Sequence, residues 1–447
     1  MTLGLIASTS PARLNFPTIH RLSNGLTIIA EQIPVDAINL SLWLNVGSAV
    51  ETNEINGMAH FLEHMVFKGT PTLGSGEFEH LVEQRGAITN AATSQDYTHY
   101  HITTAPQDFA ELAPLQVDVV LNALVPDEAF ERERFVILEE IRRADDSPSR
   151  RTFQRSMQMA FDQLPYRRPV LGAADVIAGL TPQQMREFHR SWYSPPSITA
   201  VAVGNLPVEQ LIETVAESFA SAQPEIYGKG GAEDGDAFPA PTHSVSFTPH
   251  LAEFPYLNIT RQEYVDEKLT QARLVMVWRV PGVKELHHTE ALDVLSYILG
   301  YGRTARLVRD LREDRQLVSS ISASNITYAR QGIFYISAQM PEENLTQTEG
   351  AIAHHVHNLQ SQPVSQEEIE RVRIQVANRY IFGNETPGNR AGLYGYFQSL
   401  VGDLAPAIHY PSRISALTAE RLQTAAQQYL TPDAYGVMVV RPGNGQR

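Results

Sequence analysis

The feature that most constrains this 447-residue chain is that it repeats itself. Trp43 lies in the alternating run Ile38-Asn39-Leu40-Ser41-Leu42-Trp43-Leu44-Asn45-Val46, followed by Gly47, and Trp278 lies in Ala272-Arg273-Leu274-Val275-Met276-Val277-Trp278, followed by Pro281-Gly282. The offset is 278 − 43 = 235. Much further along, Leu180-Thr181-Pro182-Gln183-Gln184-Met185 opens a helix that leads through Tyr193-Ser194-Pro195-Pro196 into an apolar strand. Leu417-Thr418-Ala419-Glu420-Arg421-Leu422 leads in the same way through Tyr429-Leu430-Thr431-Pro432 into Gly436-Val437-Met438-Val439-Val440, at an offset of 417 − 180 = 237. Two such similar offsets, so far apart in the chain, mark a duplication. Between Gly228 and Thr242 the composition shifts to Gly, Asp, Ala and Pro, as in a linker. The chain therefore reads as two α+β domains, 1–227 and 251–447, joined by a linker over 228–250. With 43% apolar residues, each half can bury a core of its own.

In the first half, Leu26–Ala30 after the turn Ser23-Asn24-Gly25, Ile38–Val46, Thr98–Thr104 and Ser197–Gly204 read as strands, and Phe78–Gln84, Phe109–Leu124 and Pro126–Ala144 as helices. Between the second of these strands and the first of these helices stands Gly57-Met58-Ala59-His60-Phe61-Leu62-Glu63-His64-Met65-Val66-Phe67-Lys68-Gly69-Thr70, which contains the order H-x-x-E-H. A helix advances about 3.6 residues per turn, so His60 and His64 project from one face with Glu63 beside them. Two imidazoles on one face are half of a zinc site. A catalytic zinc takes about three protein ligands, keeps a position for water, and needs a carboxylate outside the ligand set to accept that water's proton. The order found here is the inverted form of the H-E-x-x-H helix. The second half has no counterpart of it, so the two halves differ in chemistry.

Composition narrows the chemistry further. The chain has no cysteine, which excludes disulfides, thiolate zinc fingers and cysteine nucleophiles and leaves His and carboxylates as the ligands of any transition metal. A net charge of −15 argues against nucleic acid as a partner. Met1–Ser8 lacks the basic start and apolar run of a signal peptide, and no run of some 18 apolar residues occurs, so a soluble cytoplasmic protein without membrane spans is expected. The third ligand should come from another element of the first half. The best candidate helix is Phe130–Ile141, where Glu133 and Glu140, seven apart, share a face and Glu139 is rotated away by about 100°. From the residues alone, all three glutamates read equally well as solvated helix charges.

The runs H-F-L-E-H-M-V-F-K-G-T (60–70), G-A-I-T-N-A-A-T-S-Q-D-Y-T-H-Y (86–100) and E-R-E-R-F-V-I-L-E-E-I (131–141), in this order and spacing, closely resemble the pitrilysin/insulinase family of zinc metallopeptidases, and especially its bacterial, mitochondrial-processing-peptidase-like branch. The resemblance spans nearly the whole chain and implies a fold in which each homologous domain is a mostly antiparallel sheet packed with helices, the two forming a clam-like half-chamber. It implies a Zn2+ ion held by His60, His64 and Glu140, the last placed 140 − 64 = 76 residues after the second histidine. It further implies Glu63 as general base, Glu133 as a supporting carboxylate, and Asn90 and Ala91 on an edge strand against which an extended peptide substrate pairs. In the family's second half an arginine and, seven residues on, a tyrosine reach the substrate. Arg312 fits the first, but Ser319 stands where the tyrosine is expected. A hydroxymethyl group is too short to replace a phenol, so the expectation is a dimer, homomeric or heteromeric, in which a similar two-domain chain completes the site.

The resulting expectation is a zinc-dependent endopeptidase acting on unfolded peptides or presequence-like segments. The alternative from another class is a non-catalytic scaffold or peptide-binding subunit. Other features carry less chemistry. Gly300-Tyr301-Gly302-Arg303-Thr304-Ala305 looks like a dinucleotide loop but follows a helix-like segment and reads as a connection. His354, His355 and His357 read as a helical patch without a carboxylate partner, and His99 and His101 as structural residues sharing one strand face.

Overall fold

A computed structural model describes residues 16–222 and 252–443. The expected linker at 228–250 and the Met1–Ser8 stretch lie outside these residues. Two sheets carry the fold. The first contains β1 (Thr18–Arg21), β2 (Thr27–Gln32), β3 (Ile38–Leu44), β4 (Ile88–Thr93), β5 (Thr98–Thr104) and β6 (Ile198–Gly204) in the order β1-β2-β6-β3-β5-β4. The second contains β7 (Thr260–Asp266), β8 (Ala272–Pro281), β9 (Ser320–Ile326), β10 (Gln331–Met340) and β11 (Gly436–Pro442) in the order β7-β11-β8-β10-β9. Among the described strands, only the pairs β2–β6 and β7–β11 are parallel. Leaving β1 aside, the orders β2-β6-β3-β5-β4 and β7-β11-β8-β10-β9 are the same topology written twice. The duplicated tryptophans sit on the equivalent strands β3 and β8. The duplicated helix starts are also real: Thr181 forms a capping box with Gln184, and Thr418 caps through the Arg421 N–H.

The two halves are interlocked. Leu40, Leu42 and Leu44 of β3 face the first core, while Trp43 on the opposite face packs with Ala391 and Tyr394 of the second half's Pro387–Val401 helix. Gly395 of that helix lies directly against the Trp43 indole, where an added Cβ would collide with the ring. The exchange is reciprocal: Met157 and Ala160 of the first half's Pro148–Ala160 helix pack on Val275 and Val277 of β8 and Met438 of β11. The two exchanged helices start 387 − 148 = 239 residues apart, so the exchange is itself duplicated. A buried ion pair, Arg390 Nη1 to Glu31 Oε1 at 2.9 Å, ties the Pro387–Val401 helix to β2. No helix among the described residues is long and apolar enough to cross a membrane.

Candidate metal and peptide site

The motif helix runs from Met58 to Met65. Gly57 precedes it with φ +97°, and an added Cβ there would lie 2.7 Å from the Leu171 carbonyl oxygen, so glycine is required on two grounds. No side chain at Gly57 can cap the helix. Instead the buried Glu51 accepts the backbone N–H of Gly57 and of Ala59, each at 2.8 Å, together with the Asn56 amide at 2.8 Å. Two backbone donors at the helix start are thereby used, while the Asn56 amide also donates to the Pro169 carbonyl at 3.0 Å. Burial pushes the Glu51 carboxyl up to about 7, against the pull of those hydrogen bonds.

Phe61, Leu62 and Met65 bury one side of the helix, and Phe61 stacks on Phe130 with ring centroids 4.5 Å apart. That contact docks the Asp127–Asp146 helix and fixes which of its carboxylates meet the histidines. Glu140 Oε2 lies 3.6 Å from His60 Nε2 and 3.8 Å from His64 Nε2. These separations exceed hydrogen bonds, yet match donor atoms arranged about a common centre at zinc–ligand distances of about 2.0–2.2 Å. Ligand atoms of His60, His64 and Glu140 all lie within 4.8 Å of one another, the one such group among the described residues. The donor set, two imidazoles and a carboxylate, is one that zinc accepts. Burial, reinforced by the neighbouring His64, lowers His60 to about 4, so its imidazole is neutral and its lone pair available at neutral pH.

Neighbouring side chains orient the candidate ligands. His64 Nδ1 is 2.9 Å from Glu133 Oε1, which leaves Nε2 facing Glu140, and the Lys68 ammonium donates to Glu133 Oε2 at 2.8 Å. Burial pushes Glu133 up, but the hydrogen bonds from Lys68 and His64 outweigh it and hold the carboxyl below its ordinary range. Glu139 points elsewhere, paired with Arg142 at 2.8 Å and with Arg143 at 3.1 Å on the exposed face. Glu63 stands outside the ligand group. It accepts the Thr93 hydroxyl at 2.5 Å, and burial raises its carboxyl above the ordinary range. Glu63, His64 and Glu133 open on a cleft of about 260 Å³ whose remaining walls include Phe67, Glu79, Thr89, Asn90 and Ala91.

Thr89, Asn90 and Ala91 belong to β4, which among the described residues is a free edge of the first sheet. Asn90 and Ala91 therefore stand where a further strand can pair, beside the cleft. Arg312 and Ser319 do not reach it. Arg312 pairs with Glu313 at 2.7 Å in the second half, and the Ser319 hydroxyl donates to Gln271 Oε1 at 2.7 Å. Every described residue lining the cleft comes from the first half. The glycine run at 300–305 follows the Leu286–Gly300 helix, so it is no strand-to-helix nucleotide loop. One reading is corrected: His355 has a carboxylate partner, Asp310 Oδ2 at 2.9 Å, which sequence distance had concealed. Three participants at the site were not singled out from sequence. Lys68 and Thr93 lie inside the quoted runs, and Glu51 carries no local signal.

Two family models match the chain, insulinase (peptidase family M16) over residues 27–174 and the peptidase M16 inactive domain over 179–376. The chain belongs to the insulinase, or M16, family. An uncharacterised zinc protease of Mycobacterium tuberculosis is 27% identical over 98% of this chain and 96% of its own length. The zinc protease PqqE of Helicobacter pylori is 26% identical over 94% of this chain and 92% of its own. The crystal structure of a protease from H. pylori superposes with a TM-score of 0.84 at 24% identity, covering 95% of this chain and 99% of that one, a likeness of fold. As an M16 protein the chain has the expected α+β architecture of two similar units. The metal-ligand geometry lies in the part that matches the insulinase model, and the part beyond residue 179 matches the model described as inactive.

Proposed function

We propose that this M16 protein is a zinc-dependent endopeptidase that hydrolyses unfolded peptides, presequence-like segments among them. The observation that carries the reading is the convergence of His60, His64 and Glu140 on one point, with Glu63 just outside that group and the free edge β4 alongside. His60, His64 and Glu140 would hold the zinc ion, which when bound supplies Lewis acidity to a carbonyl and to water. Glu63 takes the proton of the attacking water and returns it to the leaving amine, a role suited to a carboxyl whose burial makes it a stronger base than an exposed glutamate. Glu133 orients His64. Asn90 and Ala91 offer backbone pairing to an extended substrate, which selects for unfolded chains over particular side chains.

The dimer belongs to the same proposal. The described residues of the cleft all come from the first half, and the Ser319 hydroxyl is tied to Gln271, so a similar two-domain chain supplies the group missing at Ser319. The cytoplasm is the proposed location. A scaffold or peptide-binding subunit remains the second reading, favoured by the match of the second half to the inactive domain. Metal analysis and a peptide-cleavage assay separate the two. The peptidase reading expects one zinc per chain, none in His64→Ala, and loss of cleavage by at least about a thousandfold in Glu63→Gln with zinc retained. A metal-free protein that still binds peptides would sink the enzyme and leave the scaffold.

A further inference from the structure

The first sheet has two faces, and the metal site uses one. Thr89, Ala91 and Thr93 of β4 point to the motif helix, with Thr93 bonded to Glu63. By strand alternation Asn90 and Ala92 start from the opposite face, although Asn90 also borders the metal cleft and its Oδ1 accepts the Ala91 N–H at 2.9 Å along the strand edge. The strand register continues this second face inward as two rows: Ala92 opposite His99 opposite Trp43, and Asn90 opposite His101 opposite Ser41. The rows run from the free edge into a cavity of about 500 Å³ between β3, β5 and the second half's Pro387–Val401 helix. The cavity is a built one. His99 lies flat on Trp43 with centroids 4.5 Å apart and planes at 12°, His101 stacks on His99 at 5.8 Å, and Tyr97 meets both Trp43 at 4.7 Å and Tyr396 at 6.0 Å. Opposite these rings the helix presents Gly388 and Gly392 in place of side chains, and a Cβ at Gly392 would meet no atom within 4 Å.

Among the described residues, no Lys, Arg, Asp or Glu side chain lines this space. Burial lowers His99 to about 4 and lowers His101 as well, so both rings are uncharged at neutral pH. A charged guest would find no counter-charge and would lose its hydration, whereas a flat neutral guest meets ring faces and imidazole nitrogens. In the sheet, Asn90 and Ala92 are the described residues between these rows and the edge, and both are short. A strand paired to β4 places its own side chains in line with these rows at every second position, about 5 Å beyond Ala92 and Asn90. A side chain of tyrosine length passes over the Ala92 methyl group onto His99.

We infer that this cavity is a second subsite for the peptide bound at β4, taking neutral planar side chains, aromatic ones above all, from alternate positions of the substrate. The inference rests on the reading of β4 as the substrate-binding edge. Its consequence is a two-sided recognition in which neighbouring residues of the peptide face the metal cleft and the ring-lined cavity in turn.

The test is a binding measurement, so that it stays readable whether or not the protein hydrolyses peptides. Zinc-loaded full-length Glu63→Gln protein is titrated, by fluorescence anisotropy, with labelled decapeptides identical except that alternate positions carry Ala, Tyr, Glu or Lys. The Tyr peptide is expected to bind about tenfold tighter than the Ala peptide, and the Glu and Lys peptides no tighter than Ala. In the same background, Gly392→Leu fills the cavity from open space and brings the Tyr and Ala peptides to equal affinity. The double change His99→Ala, His101→Ala weakens the Tyr peptide selectively, with the fold of both variants checked by circular dichroism. Equal binding of the Tyr and Ala peptides, or a Tyr advantage that survives Gly392→Leu, overturns the subsite. Absence of any cleavage by wild-type protein overturns the peptidase reading instead and leaves this ratio to be judged by itself.

Discussion

Each carboxylate around the motif helix has a distinct task set by what it touches, and each answers differently to loss of charge. Glu133 meets His64 through one oxygen and Lys68 through the other. In Glu133→Gln the amide can still accept from one of them but presents donors to the other, so His64 loses its fixed orientation. Zinc affinity is expected to fall about 10- to 100-fold, measured by chelator competition, with the fold intact. Glu51 acts on the helix itself. Its carboxyl rises from 4.5 to about 7 on folding, so the folded state holds the proton more tightly than the unfolded chain does. The stability this group contributes is therefore fully present below pH 4.5 and is lost as pH rises through 7, by about 3 kcal/mol. Glu51→Gln has no such proton. The difference in urea stability between wild type and Glu51→Gln should shrink by that amount between pH 4.5 and 7.5, and a difference that stays constant would contradict the assignment. The pairing of His60 with His64 on one face was legible in the sequence because both sit on one turn of one helix. The choice among Glu133, Glu139 and Glu140 was not legible from the residues, because it depends on the angle at which Phe61 docks Phe130. Glu51 was invisible because its partners are mainly backbone N–H groups, which no side-chain pattern announces.

At the scale of elements, the hairpin β4–β5 joins the edge proposed to bind peptide to the second half. Its turn carries Asp96, which accepts the Tyr166 hydroxyl at 2.9 Å and the Ala329 N–H at 2.8 Å, while the Arg330 N–H donates to the Tyr166 oxygen at 3.1 Å. Tyr166 in turn stacks on Tyr328 with centroids 4.5 Å apart. The end of the hairpin is thus positioned by a loop more than two hundred residues away in sequence. Asp96→Ala leaves the Tyr166 hydroxyl and the Ala329 N–H without their acceptor, at a cost of about 2–3 kcal/mol in urea unfolding. Zinc content should remain at one per chain while KM for extended peptides rises at least about threefold, because Thr93 and the edge strand lose their anchor. A variant that lost zinc instead would show that the hairpin serves the metal helix, not the substrate. Long alternating strands such as β3 and β5 were readable from period alone, as were the helices that bury a continuous stripe. By periodicity β4 was not, since Ile-Thr-Asn-Ala-Ala-Thr is short and weakly apolar, and only family resemblance pointed to it. The Pro148–Ala160 helix was not legible for a related reason: its polar sequence keeps its apolar end, Met157 to Ala160, for the other half's sheet.

For the whole molecule, that exchange decides what can fold alone. The first sheet buries Ile29, Trp43, Val201 and Val203 under a helix that follows residue 386, and the second sheet buries Val275, Val277 and Met438 under one that precedes residue 161. Residues 1–227 expressed alone would expose an apolar sheet face that a soluble monomer does not tolerate. The duplication visible in the sequence therefore describes ancestry and topology, while the unit of stability is the pair. Cutting the chain at an engineered protease site within 228–250 removes one covalent link and none of these contacts. The two fragments are expected to co-elute as one particle, to melt in a single transition close to that of the intact protein, and to keep the metal, whereas the isolated 1–227 fragment is expected to aggregate on refolding. If the separated 1–227 fragment instead stays monomeric and binds zinc with wild-type affinity, the crossing helices would be accessories to two self-sufficient halves, and the anchoring of the β4–β5 hairpin by the second half could not be what holds the edge strand beside Glu63.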